Sequence, residues 1–198
     1  MDASRLDSLI DTLSEEERWA IYLWGVSCCM GCNPSEMDEV YSAWYSESSY
    51  MEILGRFGRE VGGAYCDSTV DLGEGPVSLP SLIVSRLEGK LNTGIDNRGH
   101  LSRIAKALLE YLAGSGLLDK FAEKRVVKGG LVLGYSLPYG FLEVCFTHHM
   151  KALGSDVTQE EAYEAIKELI KARIIVRCSS AGQDRYYALG HLGHKANQ

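Results

Sequence analysis

The sequence predicts an α+β protein, mostly helical, in which small helical bundles are each finished by a two-stranded β-ribbon. Three observations lead there. Apolar residues recur at helical spacing behind start signals such as Ser14-Glu15-Glu16-Glu17 and Thr158-Gln159-Glu160-Glu161, where a hydroxyl is followed three residues later by a glutamate. Short aliphatic runs separated by glycine or polar turns read as hairpins, as in Leu131-Val132-Leu133 after Lys128-Gly129-Gly130. The same grammar of apolar helix, short break, strand, polar turn and strand ending in leucine runs through residues 107–137 and again through 165–189.

Taken in order, Leu6 to Leu13 is a short amphipathic start. Ser14 then caps a helix over 15–28 whose Trp19, Ile21, Tyr22, Leu23 and Val26 form a wide apolar stripe. Asn33-Pro34-Ser35-Glu36 opens a second helix, with proline in its first turn, and Met37, Val40, Tyr41 and Trp44 follow at helical spacing. A third helix over 49–61 is expected to turn Met51, Leu54, Phe57 and Val61 inward and to stop at Gly62-Gly63. Residues 64–72 alternate as a strand, and Gly73-Glu74-Gly75-Pro76 is a turn. Helices over 79–91 and 100–113, a hairpin over 121–137, helices over 141–153 and 158–171, and a second hairpin over 174–189 complete the chain.

Bulk composition narrows the class. The chain has 198 residues, 45% hydrophobic and 24% charged, enough to bury a core and too apolar for long disorder. No run reaches the ~18 apolar residues of a membrane helix, so no membrane association is expected. The start MDASRLDSLID is acidic and polar where a secretory leader is basic and then apolar, and a cytoplasmic protein is the expectation.

Charge is uneven. Residues 1–75 hold 4 Lys+Arg against 15 Asp+Glu, a net of −11; residues 76–137 hold 9 against 5, a net of +4; the remainder balances at 7 of each. The first third repels a phosphate backbone and the middle third attracts one. Trp19, Trp24, Tyr41, Trp44 and Tyr45 in the acidic third read as core; left exposed, they would form a protein-docking patch.

The six cysteines, at 28, 29, 32, 66, 145 and 178, form no evenly spaced framework, so reduced thiols are expected. Cys28, Cys29, Cys32 and Cys66 are the candidate zinc ligands. A structural zinc site takes four soft ligands, usually as two close pairs, and no second C-x-x-C exists, so no metal or other cofactor is expected. Phosphate-loop, dinucleotide, nucleophile-elbow and zinc-protease motifs are all missing, which points away from an enzyme. His148-His149 lies within an apolar helix, one ring expected toward the core and one toward solvent.

Helices followed by a two-stranded hairpin resemble the winged helix-turn-helix superfamily. Residues 107–137 and 165–189 look like its third helix plus wing, twice, and the first third resembles another copy. Val40-Tyr41-Ser42-Ala43-Trp44, with Phe57-Gly58-Arg59-Glu60-Val61 after it, is also similar to winged-helix modules of some viral and plasmid replication proteins. The resemblance implies tandem winged-helix units: an acidic one over 1–77, a basic one over 78–137 and a third over 138–198. The match departs from the pattern where no separate second helix fits between Leu153 and Thr158, and where the 49–61 helix offers only Arg56 and Arg59.

The expectation is a non-enzymatic, double-stranded-DNA-binding regulator of transcription or replication. Arg98, His100, Arg103 and Lys106 would lie on the groove-reading helix of the middle unit, and Lys124, Arg125 and Lys128 on its wing. The acidic third would self-associate or hold a protein partner. The alternative is a winged-helix scaffold that binds only proteins. It draws on the C-terminal unit, where Lys167, Lys171, Arg173, Arg177 and Arg185 are matched by Glu160, Glu161, Glu164 and Glu168, a face expected to be solvated or protein-binding.

Overall fold

A computed structural model of the protein describes residues 3–31, 44–71, 73, 75–88, 90–91, 99–114, 122–127, 130–180 and 183–188. The helix expected from Asn33 lies outside them, as do Cys32, Tyr41 and the cations Arg98 and Lys128. The described architecture is mostly helical with antiparallel β-ribbons. Its elements group into two units, residues 1–92 with 125–131, and 93–124 with 132–198.

In the first unit, α1 (Ala3–Thr12) leads into α2 (Glu15–Met30). The capping box at Ser14 forms as expected: the Glu17 N–H donates to the Ser14 hydroxyl, and the Ser14 N–H donates to the Glu17 carboxylate at 2.7 Å. Gly31 ends α2 in the left-handed conformation at φ 68°. Residues Trp19 to Val26 are buried on every side of α2, as an all-round apolar helix must be. Trp19 meets Tyr22 and Trp44 edge-on, and Trp24 and Tyr45 are also in the core.

Ser46 caps α3 (Glu47–Val61), which stops at Gly62. Its inward residues are Tyr50 and Phe57, while Met51 is 58% exposed, against the expected register. Leu54 and Val61 are half-buried, so of the expected inward set Met51 alone is exposed. Among the described residues of the expected 64–72 strand, Thr69–Asp71 (β1) forms, pairing antiparallel with β2 (Pro76–Ser78). Ser78 then caps α4, Leu79–Leu87.

α4 packs directly on α2, and Gly25 makes the approach possible. A Cβ at Gly25 would lie 3.0 Å from Val84 and 3.1 Å from the Pro80 carbonyl oxygen. Gly25→Leu is expected to cost about 1–3 kcal/mol by overpacking, read as a lower midpoint in denaturant unfolding. An unchanged midpoint would contradict this packing. Because of the α2–α4 contact, α4 belongs with the first unit, and the grouping differs from the three-way division at 77 and 137.

Cys28, at the end of α2, is joined to Cys66, beyond α3, by a disulfide that spans 38 residues. The expectation of reduced thiols is corrected for this pair: proximity in the fold, invisible in the spacing, brings their Cα atoms to 5.0 Å.

The remaining elements, which apart from residues 125–131 make up the second unit, are α5 (Arg103–Gly114), β3 (Ala122–Val127), β4 (Gly130–Pro138), α6 (Phe141–Ala152), α7 (Gln159–Lys171), β5 (Ile175–Ser180) and β6 (Gln183–Ala188). α5 begins three residues later than expected because Ser102 caps it, its hydroxyl accepting from the Ala105 N–H. α7 packs on α5, α6 and β5, burying Ala162, Ala165, Ile166, Leu169 and Ile170 against Leu108, Leu112, Leu142, Phe146 and Val176. After α7 the N–H of Arg173 donates to Ile170 and that of Ile174 to Leu169, with Arg173 left-handed at φ 59°. This helix-end motif sends the chain straight into β5.

The two hairpins expected as separate wings form one four-stranded sheet of order β3-β4-β6-β5. β4 has nine residues against six in β3, and its far end pairs antiparallel with β6, Tyr135 opposite Tyr186. The pairing covers an edge that would otherwise be left open. Arg177, expected on a solvated face, is instead buried. It chelates the buried Asp184 through Nε and Nη2 at 3.1–3.3 Å, with Glu143 at 3.5 Å from Nη1.

Candidate binding surface

The cations expected to meet DNA are only partly brought together. His100 precedes α5, Arg103 begins it and Lys106 follows one turn on; all three are exposed. The Lys106 ammonium reaches back to the Gly99 carbonyl at 3.5 Å. Lys124 and Arg125 have their backbone in β3, with side chains outside the description, so no common surface with the α5 cations is established.

The start of α5 already has an anion. The Ser102 N–H donates to the Glu168 carboxylate of α7 at 2.6 Å. A helix N-terminus attracts negative charge, and here a protein carboxylate occupies it.

α7 presents the most strongly patterned surface in the second unit. Its capping box is complete: the Thr158 hydroxyl accepts from the Glu161 N–H, while the Thr158 N–H and hydroxyl donate to Glu161 Oε2 at 2.8 and 3.0 Å. Those bonds from Thr158 hold the Glu161 carboxyl below its ordinary range. Glu160, Glu164, Lys167 and Lys171 are exposed along the helix. Lys167 pairs with Glu164 at 2.9 Å and sits 4.5 Å above the Tyr163 ring. Beside them a groove of about 660 Å³ runs along α7 to the start of α5, with Ile104 and Ala165 among its lining.

Among the described residues the cysteines assemble no ligand set. Cys28 and Cys66 are joined in the disulfide, Cys29 is half-buried with its sulfur 3.6 Å from the Ser81 hydroxyl, and among the described residues no cluster of three metal-ligating side chains occurs. Burial pushes the Cys145 thiol up, which works against its acting as a nucleophile. Both His148 and His149 are exposed, correcting the expectation of one inward ring; His149 lies against Tyr111 with ring centres 4.8 Å apart.

Sequence reasoning missed the burial of Arg177. The signal was present: Arg177 interrupts the aliphatic run Ile174-Ile175-Val176, and Asp184 sits two residues from its cross-strand partner Tyr186. Among the described residues no helix is long and apolar enough to cross a membrane. No protein-family model, curated protein or solved structure matches the chain.

Proposed function

We propose that the protein is a non-enzymatic adaptor that binds protein, and that its second unit is a winged-helix module adapted to that use. Three helices, α5, α6 and α7, precede the β5–β6 hairpin, with β3 and β4 between α5 and α6, a grouping that moves α5 out of the middle unit expected over 78–137. In such a module the helix before the wing is the one that would enter a DNA groove. Here that helix is α7, and the charge on its exposed first turns carries the reading: Glu160, Glu161 and Glu164 face solvent. Carboxylates there repel phosphate at the position where a DNA reader needs cations.

A titration of duplex DNA followed by fluorescence anisotropy at low salt tests this. The expected result is no binding that weakens as salt rises. Salt-sensitive binding that is lost in Lys167→Glu with Lys171→Glu, which removes the exposed cations of α7, would overturn it.

One observation favours a second reading, a DNA-binding regulator of transcription or replication. His100, Arg103 and Lys106 are exposed around the start of α5, the last two one turn apart. On that reading, Arg103→Ala with Lys106→Ala weakens the same DNA titration across all sequences and flattens its salt dependence.

A further inference from the structure

We propose that α7 is a self-recognition surface, on which a second copy of this chain docks antiparallel about a two-fold axis passing between Glu164 and Lys167. The inference rests on the reading that α7 meets protein rather than DNA, and it names the partner.

Glu160, Glu164, Lys167 and Lys171 are all exposed. They follow one another at intervals of four, three and four residues, which sets them in a single line along one helix face. At the rise of an α-helix that line is about 16 Å long. It reads acid, acid, base, base. Turned end over end it reads base, base, acid, acid, which is its own complement.

A two-fold centred between residues 165 and 166 therefore faces Glu160 with the partner's Lys171 and Glu164 with the partner's Lys167, and symmetry repeats each pair. The opposite arrangement, with the two helices parallel and in register, sets every charge against its own kind. Orientation is thus specified by repulsion as well as attraction.

The surroundings suit such a contact. Lys167 is held by Glu164 at 2.9 Å and by the Tyr163 ring, so the central charges are oriented before the partner arrives. The groove beside the line is lined by half-buried Ile104 and by the charged side chains of the line itself, so a partner helix seated there meets all four charges. A foreign basic segment would answer Glu160 and Glu164 but meet repulsion at Lys167 and Lys171. Only a partner with the reversed order answers the whole line, and this chain carries that order.

Sedimentation equilibrium of the full chain, at low and at high salt, tests the proposal. The expected mass is twofold that of one chain at low salt, falling toward one chain at high salt as the pairs are screened. Glu160→Lys with Glu164→Lys makes the line wholly basic, and Lys167→Glu with Lys171→Glu makes it wholly acidic. Each double variant alone is expected to be monomeric, with circular dichroism confirming its fold, and an equal mixture of the two is expected to regain the twofold mass. A wild-type monomer under every condition overturns the proposal, as does a dimer indifferent to both charge reversals. DNA binding is read separately by anisotropy: a monomer that also ignores DNA overturns self-recognition alone, whereas DNA binding through α7 overturns the adaptor reading itself.

Discussion

Replacing Arg177 with leucine is expected to cost the second unit about 3–5 kcal/mol, because it strips the cation from a buried ion cluster. The Arg177 side chain is 2% exposed, Asp184 0% and Glu143 8%. Around the guanidinium stand the rings of Tyr139, Tyr163 and Tyr186, 5.4–5.9 Å from its carbon. Without Arg177 the buried Asp184 and Glu143 carboxylates lose the cation they both meet, and uncompensated burial is the expensive state. The pair itself is not a large source of stability, since its attraction only offsets desolvation.

That distinction yields a second measurement. Arg177→Met combined with Asp184→Asn and Glu143→Gln removes the orphaned charges and is expected to regain a substantial part of the loss. The amide oxygen introduced by Asp184→Asn would still accept from the Gly140 N–H, which Asp184 meets at 2.9 Å in the native fold. Denaturant unfolding followed by far-UV circular dichroism reads both variants. A loss below about 1 kcal/mol for the single variant would place Arg177 in solvent.

Reducing the Cys28–Cys66 disulfide is expected to lower the stability of the first unit by about 4 kcal/mol, the chain-entropy value for a loop of this length. The bond ties the end of α2 to the turn beyond α3 across 38 residues. All three tryptophans belong to the first unit's sequence, so their fluorescence follows this unit selectively. The wild type should show a lower unfolding midpoint with reductant present, and Cys66→Ser should show that lower midpoint with or without it. Equal midpoints for wild type and variant without reductant would contradict the bond. Cys66 is exposed, so a reductant reaches it without prior unfolding.

Much of the helical framework was legible because its signals are local. The capping boxes at Ser14 and Thr158 each involve residues three apart, and both formed with the expected donors and acceptors. The hairpin over 174–189 and the buried stripe of α2 followed from periodicity in the same way. Local reading erred where two signals competed. The start of α5 moved from residue 100 to 103 because the Ser102 cap overrides the polar stretch before it, and in α3 Tyr50 is buried with Phe57 while Met51 is exposed.

The candidate site was legible only in part. The charge pattern of α7 was visible from its spacing, and so was its reading as a solvated or protein-binding face. Its position before the β5–β6 hairpin was visible too. That Glu168 fills the N-terminus of α5 was not, because Ser102 and Glu168 are 66 residues apart.

What the sequence determined by itself is what short-range chemistry controls: the described helices, their caps, the hairpin strands over 174–189 and the segregation of charge along the chain. Only the tertiary structure decided that two hairpins merge into one sheet, that α4 joins α2, that Cys28 meets Cys66 and that Arg177 is buried with Asp184 and Glu143. Each of these depends on which distant apolar surfaces exclude water together, and burial of that kind is non-directional. It leaves no fixed spacing in the chain for a reader of the sequence to find.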